Sequence, residues 1–213
     1  MKNRTWIAAA IGTAAVMVAV SLWADASRTG HTDGGLKAGP AGAKGTSPSG
    51  AVTDCTGTRP PGSLPGFPGV PEGSSDDTPL YRTLAYIDLD AKRRYSAAFT
   101  GLSIDEPHRT LKVWRIPSAA LDADLCGAAE KGVKIRLYDT DVNRKTLDAL
   151  ADRISEDMHR WDGTFQMREV GVQEEGFVGI GVDDPAKAEP ILKEAYGERY
   201  LKVGHVEQAQ DAG

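Results

Sequence analysis

A glycine-punctuated run, "GFVGIGVDDP", precedes a helical pattern and invites comparison with loops that hold a phosphate. Phosphate-binding glycines stand between a strand and a helix, so that free backbone amides face the anion. Here Gly176, Gly179 and Gly181 lie within or before the strand. The junction itself is "VDDP", whose carboxylates would repel a phosphate, and Asp184 is well placed to cap the helix. The sequence therefore predicts a structural junction.

The stretch "DTDVN", Asp139 to Asn143, opens like a calcium-binding loop. The sixth position is Arg144 where that motif requires glycine, and the twelfth is Leu150 where it requires glutamate. A helix cap provided by Asp141 or Asn143 is the favoured interpretation.

Other side chains with catalytic or metal-binding chemistry are scattered. The histidines are His31, His108, His159 and His205, and none has a partner at metal-ligand spacing. No serine or cysteine stands in a recognisable nucleophile motif. We therefore predict no catalytic residue, no metal ligand and no cofactor, and a protein that is not an enzyme.

The two cysteines, Cys55 and Cys126, leave two interpretations open. A disulfide between them is chemically allowed outside the cytosol and would pin the chain around Cys55 to the folded part. The alternative is two unpaired thiols. Without a nearby histidine they make a poor metal site.

The N-terminus indicates the compartment. Two basic residues precede 18 uncharged residues, Ile7 to Ala24. Residues 1–26 are either a signal peptide, cleaved near Ala26, or a retained anchor long enough to span a bilayer, with Trp6 and Trp23 at the interfaces. In both cases the remainder is predicted to be exported, either secreted or held outside the membrane by a single span.

Residues 27–79 are predicted to form a disordered tether. Between residues 25 and 79 lie 12 of the 24 glycines and eight of the 12 prolines. Such a composition buries too little apolar surface to offset the entropy lost on ordering. Residues 80–213 then form one domain. The net charge of −5, with acids and bases interleaved, provides no concentrated positive field, so no nucleic-acid partner is expected.

Apolar periodicity predicts the elements of this α+β domain. Three predicted parts form an N-terminal extension. They are a helix over Leu84–Phe99 that breaks at Gly101, a strand pair that includes Thr110–Pro117, and a short helix capped by Ser118. From Val133 to Val206 the order is strand, helix, strand, strand, helix, strand. Connection rules favour a ferredoxin-like, split-βαβ sheet with both helices on one face.

The order "TLDALADRISEDM", a hairpin, then "DDPAKAEPILKEAYGERYLKV" resembles the repeating unit in the pro-domains of secreted actinobacterial serine proteases of the alpha-lytic type. The resemblance covers Val133–Val206 and rests on apolar positions and turns. It implies a module without catalytic residues that folds and inhibits a protease through its last strand and tail. By this analogy the partner-contact strand comprises Tyr200, Lys202, Val203, His205 and Val206. Since no protease follows in this sequence, we expect action on a separate chain.

Three functions remain as hypotheses. The first is a non-enzymatic exported domain that binds another extracytoplasmic protein, in one version a serine protease, through its sheet or edge strand. The second is a small-ligand or enzymatic module with a pocket on the sheet face bared by Gly179 and Gly181. A sheet face that is closed and filled would count against this second hypothesis. The third is a structural component of the cell envelope. The sequence favours the first.

Overall fold

Two β-sheets, one four-stranded and one three-stranded, form the framework of the protein. The computed structural model describes residues 52–207, so the predicted signal or anchor segment lies outside the described residues. Between residues 52 and 207, no helix is both long and apolar enough to cross a bilayer. The mixture of sheets and helices confirms the predicted α+β class.

The described chain contains seven strands and five α-helices. The strands are β1 (Val52–Thr56), β2 (Phe99–Asp105), β3 (Thr110–Arg115), β4 (Lys134–Asp139), β5 (Met167–Gln173), β6 (Phe177–Val182) and β7 (Leu201–His205). The helices are α1 (Pro79–Tyr86), α2 (Lys92–Arg94), α3 (Ala119–Ala128), α4 (Arg144–Glu156) and α5 (Pro185–Tyr196), and a π-helical stretch, Ile87–Ala91, joins α1 to α2.

Both sheets are built from the same order of elements. In the first unit, α1–α2 lead into the antiparallel hairpin β2–β3, and α3 returns the chain to β4, which runs parallel to β3. In the second unit, α4 leads into the antiparallel hairpin β5–β6, and α5 returns the chain to β7, which runs parallel to β6. The first sheet has one strand more, because β1 pairs antiparallel with the outer edge of β4.

The predicted ferredoxin-like βαββαβ sheet is therefore wrong, although its order of elements is present. The strand that begins it, β4, lies in the first sheet, whereas β5, β6 and β7 form the second. The physical reason is that β4 has no free edge: β3 occupies one side and β1 the other. The connection rules were applied to residues 133–206 alone and left out both of these competing strands.

The predicted tether needs a correction as well. Its residues 27–51 lie outside the described part, but residues 52–79 belong to the fold. They contribute β1, the buried side chain of Leu64 and the start of α1. The structure also joins Cys55 on β1 to Cys126 on α3 by a disulfide across a sequence separation of 71, with the Cα atoms 5.8 Å apart. The glycine- and proline-rich residues 52–79 therefore form a segment that packs against the rest of the domain.

Each sheet packs one face against its helices. Because side chains alternate along a strand, the apolar residues of β3 and β4 point to the same side and meet α3. The fully buried residues of this first core include Leu111, Val113, Ile135, Leu137, Leu121 and Leu125. The second core likewise joins β6 to α4 and α5 through Val178, Ile180, Val182, Leu147, Ile154, Ala188 and Leu192. Burying each large side chain contributes about 1.5–3 kcal/mol.

The β5–β6 turn packs directly on β2 of the first sheet. A Cβ atom placed on Gly101 would lie 2.2 Å from the carbonyl oxygen of Glu174 in that turn. Beside it, the hydroxyl groups of Thr100 and Thr140 are 2.7 Å apart. Only a residue without a side chain permits this approach, so the predicted break at Gly101 is a point of contact inside β2.

A buried carboxylate holds the N-terminal segment in place. Glu130, which follows α3, has no exposed surface and accepts hydrogen bonds from the N–H groups of Gly62, Ser63 and Leu64 at 3.0–3.1 Å. Arg82 of α1 donates from Nη2 at 3.0 Å. Burial raises the pKa of Glu130, but the hydrogen bonds from Arg82, Leu64 and Gly62 outweigh burial and hold the pKa below its usual range.

Replacing Glu130→Gln tests this clamp. The variant leaves Arg82 with one buried partner fewer and turns an amide N–H towards backbone donors, so the free energy of unfolding at pH 7 should fall by about 3–5 kcal/mol. Because the folded pKa is depressed, the stabilisation by this carboxylate is fully present above the unfolded value of about 4.3 and is lost as the pH falls through the lower folded value. Urea unfolding between pH 3 and pH 7 measures both effects.

The control is Glu156→Gln on the exposed surface of α4, which should change stability by less than about 0.5 kcal/mol. Equal stability of the Glu130→Gln variant and the native protein at pH 7 would contradict the role assigned to Glu130.

Replacing Gly101→Ala tests the contact between the sheets. The added Cβ collides with backbone, which cannot rotate away, so unfolding should become easier by about 1–3 kcal/mol. The matched variant is Gly127→Ala in α3, where nothing lies within 4 Å of the added atom. Alanine in that helix should stabilise by roughly 0.5–1 kcal/mol. Denaturant midpoints that shift in the same direction for both variants would argue against the described contact.

Candidate functional site

The outer edge of β7 is the candidate site. Among residues 52–207, β7 pairs with β6 only. The N–H of Val178 donates to the carbonyl oxygen of Tyr200 at 2.8 Å, and the N–H of Val206 donates to that of Val182 at 2.9 Å. Because backbone groups alternate in direction along a strand, the N–H and C=O groups of Leu201, Val203 and His205 point away from β6. We call these outward backbone groups the β7 edge.

The preceding helix places this edge. The side chain of Asp184 accepts a hydrogen bond from the N–H of Lys187 at 3.2 Å and caps α5, with Pro185 in the first turn. Gly197 ends the helix with a φ of 87°, so the chain can turn back into β7. The predicted capping of the helix by Asp184 is confirmed.

The five residues of the predicted contact strand lie together on β7 and its flanks. Val203 and Tyr200 are partly buried against the second core, and Val206 extends the pairing with β6 by one residue. Lys202 and His205 are exposed. The inward side chains therefore anchor the strand, while the side chain that carries the Lys202 charge remains exposed.

The positive charge of Lys202 is unmatched in the described part of the chain. Its Nζ lies 3.6 Å from the centre of the Phe177 ring, a cation–π contact that fixes the amine above the neighbouring strand, and it forms no ion pair with any residue between 52 and 207. The preceding cation, Arg199, is in contrast paired with Asp141. Burial, reinforced by the charge of Asp141, raises the pKa of Tyr200, so this side chain stays neutral beside the edge.

The glycine-rich outer face of the second sheet is covered by its own neighbours. Gly171, Gly179, Gly181 and Gly204 lie on this face by their register. The side-chain nitrogen of Gln173 lies 3.2 Å from where a Cβ of Gly179 would stand, and Val206 Cγ2 lies 2.5 Å from the corresponding position on Gly181. This covering counts against a ligand pocket bared by Gly179 and Gly181.

The residues that resembled a calcium loop separate in the structure. Asn143 caps α4, with its Oδ1 accepting from the N–H of Thr146 at 2.9 Å. Asp139 pairs with Arg115, and Asp141 points to Arg199. The histidines are dispersed too: Nδ1 of His108 lies 2.8 Å from Asp105. In the part of the chain that the structure describes, no group of three metal-ligating side chains converges.

A groove beside β2 also has apolar character. Phe67, Leu84 and Leu102 line it. The cations at its rim already have partners: Lys92 lies 3.2 Å from Asp88, and Arg144 lies 2.7 Å from Asp148. The groove therefore offers contact area, but both of its lining cations are already paired.

No protein-family model matches the chain, and neither a curated protein nor a solved structure was found to match it. Function has to be inferred from the described residues themselves.

The sequence predicted a strand where β7 lies but did not indicate what surrounds it. It did not foresee Phe177 beneath Lys202, nor β1 on the equivalent edge of β4. The sequence did contain one signal of the repeat. The stretch from β3 to β4 has nearly the same length as the stretch from β6 to β7. Each also has a proline before or at the start of its helix. An internal comparison of the two stretches would have revealed the repeat.

Replacing Gly181→Ala tests the covering of the outer face. The new Cβ would displace Val206 from the end of β7, and we expect a loss of about 1–3 kcal/mol in the free energy of unfolding. In the Gly181→Ala/Val206→Ala double variant the nearest collision is removed, so the two effects should couple by about 0.5–3 kcal/mol. A double-mutant cycle in urea measures this coupling, and strict additivity would contradict the contact.

Proposed function

We propose that this protein is an exported, non-enzymatic module that binds another extracytoplasmic protein by adding a strand of that protein to the β7 edge. One observation carries the proposal. The first unit has the same order of elements as the second, and the outer edge of its last strand, β4, holds an added antiparallel strand, β1. The equivalent edge of β7 has no such strand among residues 52–207.

The chemistry of the edge supports this mode of binding. An edge strand offers a row of backbone donors and acceptors that an extended peptide can satisfy. Each hydrogen bond gains a net of about 0.5–1.5 kcal/mol, and the outward groups of Leu201, Val203 and His205 can form several. An exposed edge also pairs with unwanted chains unless it is protected, so a partner that covers it removes a liability.

Export is supported by two features of the chain. The uncharged run from Ile7 to Ala24 follows basic residues, as expected for a signal peptide or an anchor. The disulfide between Cys55 and Cys126 suits an oxidising compartment. The module is thus released after cleavage near Ala26 or held outside the membrane by its uncharged N-terminal segment.

A serine protease is one specific version of the partner. The order α4–β5–β6–α5–β7 corresponds to the order of elements through which the sequence resembles protease pro-domains. In this version the protein acts on a separate protease chain as an inhibitor or chaperone, and the β7 edge is the contact element.

Replacing Val203→Pro tests the proposed edge. Proline removes the outward N–H of Val203, which β6 does not use, and edge strands tolerate proline at such positions. The full chain, used as bait for the producer's extracytoplasmic proteins, should capture a partner. The Val203→Pro variant should capture at least tenfold less of that partner. Hydrogen exchange at Leu201, Val203 and His205 should slow in the complex of the native protein.

The matched control is Val203→Ala, which removes the same side chain but keeps the N–H and should retain the partner. The proposal is wrong if the proline and alanine variants lose the partner equally, or if neither variant loses it.

A further inference from the structure

The two units match residue by residue. In the first unit, Ile104 pairs with Leu111, which pairs with Ile135. In the second, Val172 pairs with Val178, which pairs with Leu201. All six side chains are aliphatic and face the helices, so these two rows are equivalent positions in the two sheets.

The next inward row confirms this alignment. Leu102, Val113 and Leu137 lie side by side in the first sheet, as Val170, Ile180 and Val203 do in the second. Ile135 thus corresponds to Leu201, and Leu137 to Val203. The residue between them is basic in both strands: Arg136 in β4 and Lys202 in β7.

The direction of the backbone groups agrees as well. The N–H of Lys134 donates to the carbonyl oxygen of Arg109 at 3.0 Å, so the even-numbered residues of β4 face β3. Its odd-numbered residues face outward, and there β1 pairs with them: Cys55 lies opposite Ile135 and Thr53 opposite Leu137. The outward groups of β7 belong to the equivalent residues, Leu201 and Val203. A strand added to β7 in the manner of β1 would run antiparallel to it.

The strand β1 shows which side chain this edge accepts. Asp54 lies directly opposite Arg136, with the carboxylate 3.2 Å from Nε and 3.9 Å from the amine of Lys134. The backbone groups of the even-numbered residues of β4 bond to β3, so Asp54 and Arg136 form a non-hydrogen-bonded pair between β1 and β4. In such pairs the opposing side chains lie closer together than in hydrogen-bonded pairs. The basic residue at this position therefore has an acid as its cross-strand partner.

We infer that the β7 edge selects an extended segment of another protein that runs antiparallel to β7 and carries an aspartate or glutamate opposite Lys202. The inference rests on the proposed function and adds the chemistry of the partner. The Lys202 amine is free of acidic partners in the described part of the chain and is held over Phe177. The residues on either side of the acid are small or β-branched, as Thr53 and Cys55 are in β1.

Two peptides supply the probe. One has the sequence of residues 51–57 with Cys55→Ser, and the other has in addition Asp54→Lys. Each is titrated into the isotope-labelled full chain at millimolar concentration, and the amide signals of Leu201, Val203 and His205 report binding by NMR. Opposite-charge pairs across strands stabilise and like-charge pairs destabilise, so the acidic peptide should bind roughly two- to tenfold more tightly.

A charge exchange gives the decisive comparison. In the Lys202→Glu variant the preference should reverse, so that the lysine peptide binds more tightly than the aspartate peptide. The matched control is Lys187→Glu, which makes the same change of charge on the exposed surface of α5 and should leave the preference as it is in the native chain.

The other outcomes separate the two proposals. If both peptides shift the β7 amides with equal affinity, the acidic preference is overturned while strand addition stands. If neither peptide shifts them, the inference is overturned, and the comparison of Val203→Pro with Val203→Ala still decides the proposed function. If sedimentation shows a dimer that Val203→Pro dissociates, the occupant is a second copy of this chain and the inference is again overturned.

Discussion

The backbone of β4 is hydrogen-bonded on both sides, to β3 by a parallel ladder and to β1 by an antiparallel one. With both edges of β4 occupied, the chain that follows cannot pair with β4, and its strands β5, β6 and β7 form a second sheet. The strand that completes this saturation, β1, is covalently joined to α3 through Cys55 and Cys126. The segment after β1 is held by Glu130. The division of the protein into two sheets depends on this pairing.

The spacing of apolar residues, together with glycine, proline and capping residues at the ends of elements, was sufficient to predict most helices and strands from the sequence. The helix α4, the strand β4 and the β5–β6 hairpin lie close to where apolar spacing put them, because these patterns reflect which faces are buried. The helical caps at Ser118, Asn143 and Asp184 also follow from local chemistry.

What could not be predicted depends on contacts between distant parts of the chain. The strand β1 has five residues within a stretch of glycine and proline, and composition alone indicated a tether there. Its pairing with β4 and the burial of Glu130 are stabilised by residues about 70 positions away, which no local window contains. The position of strand β7 could be predicted from the sequence. Its unpaired edge could not be predicted, because a strand is an edge strand only if no other strand pairs with that side of it.

Since a polypeptide is made from its N-terminus, the disulfide has a consequence for the order of folding. Cys55 leaves the ribosome or a translocation pore while Cys126 still lies 71 residues behind, so β1 waits without a partner until β4 has appeared. The second unit needs only its own contiguous residues, α4 to β7, and contacts of short sequence separation form faster. The second unit can thus complete its core without delay. The first unit is closed by β1, which is synthesised before every other element between residues 52 and 207.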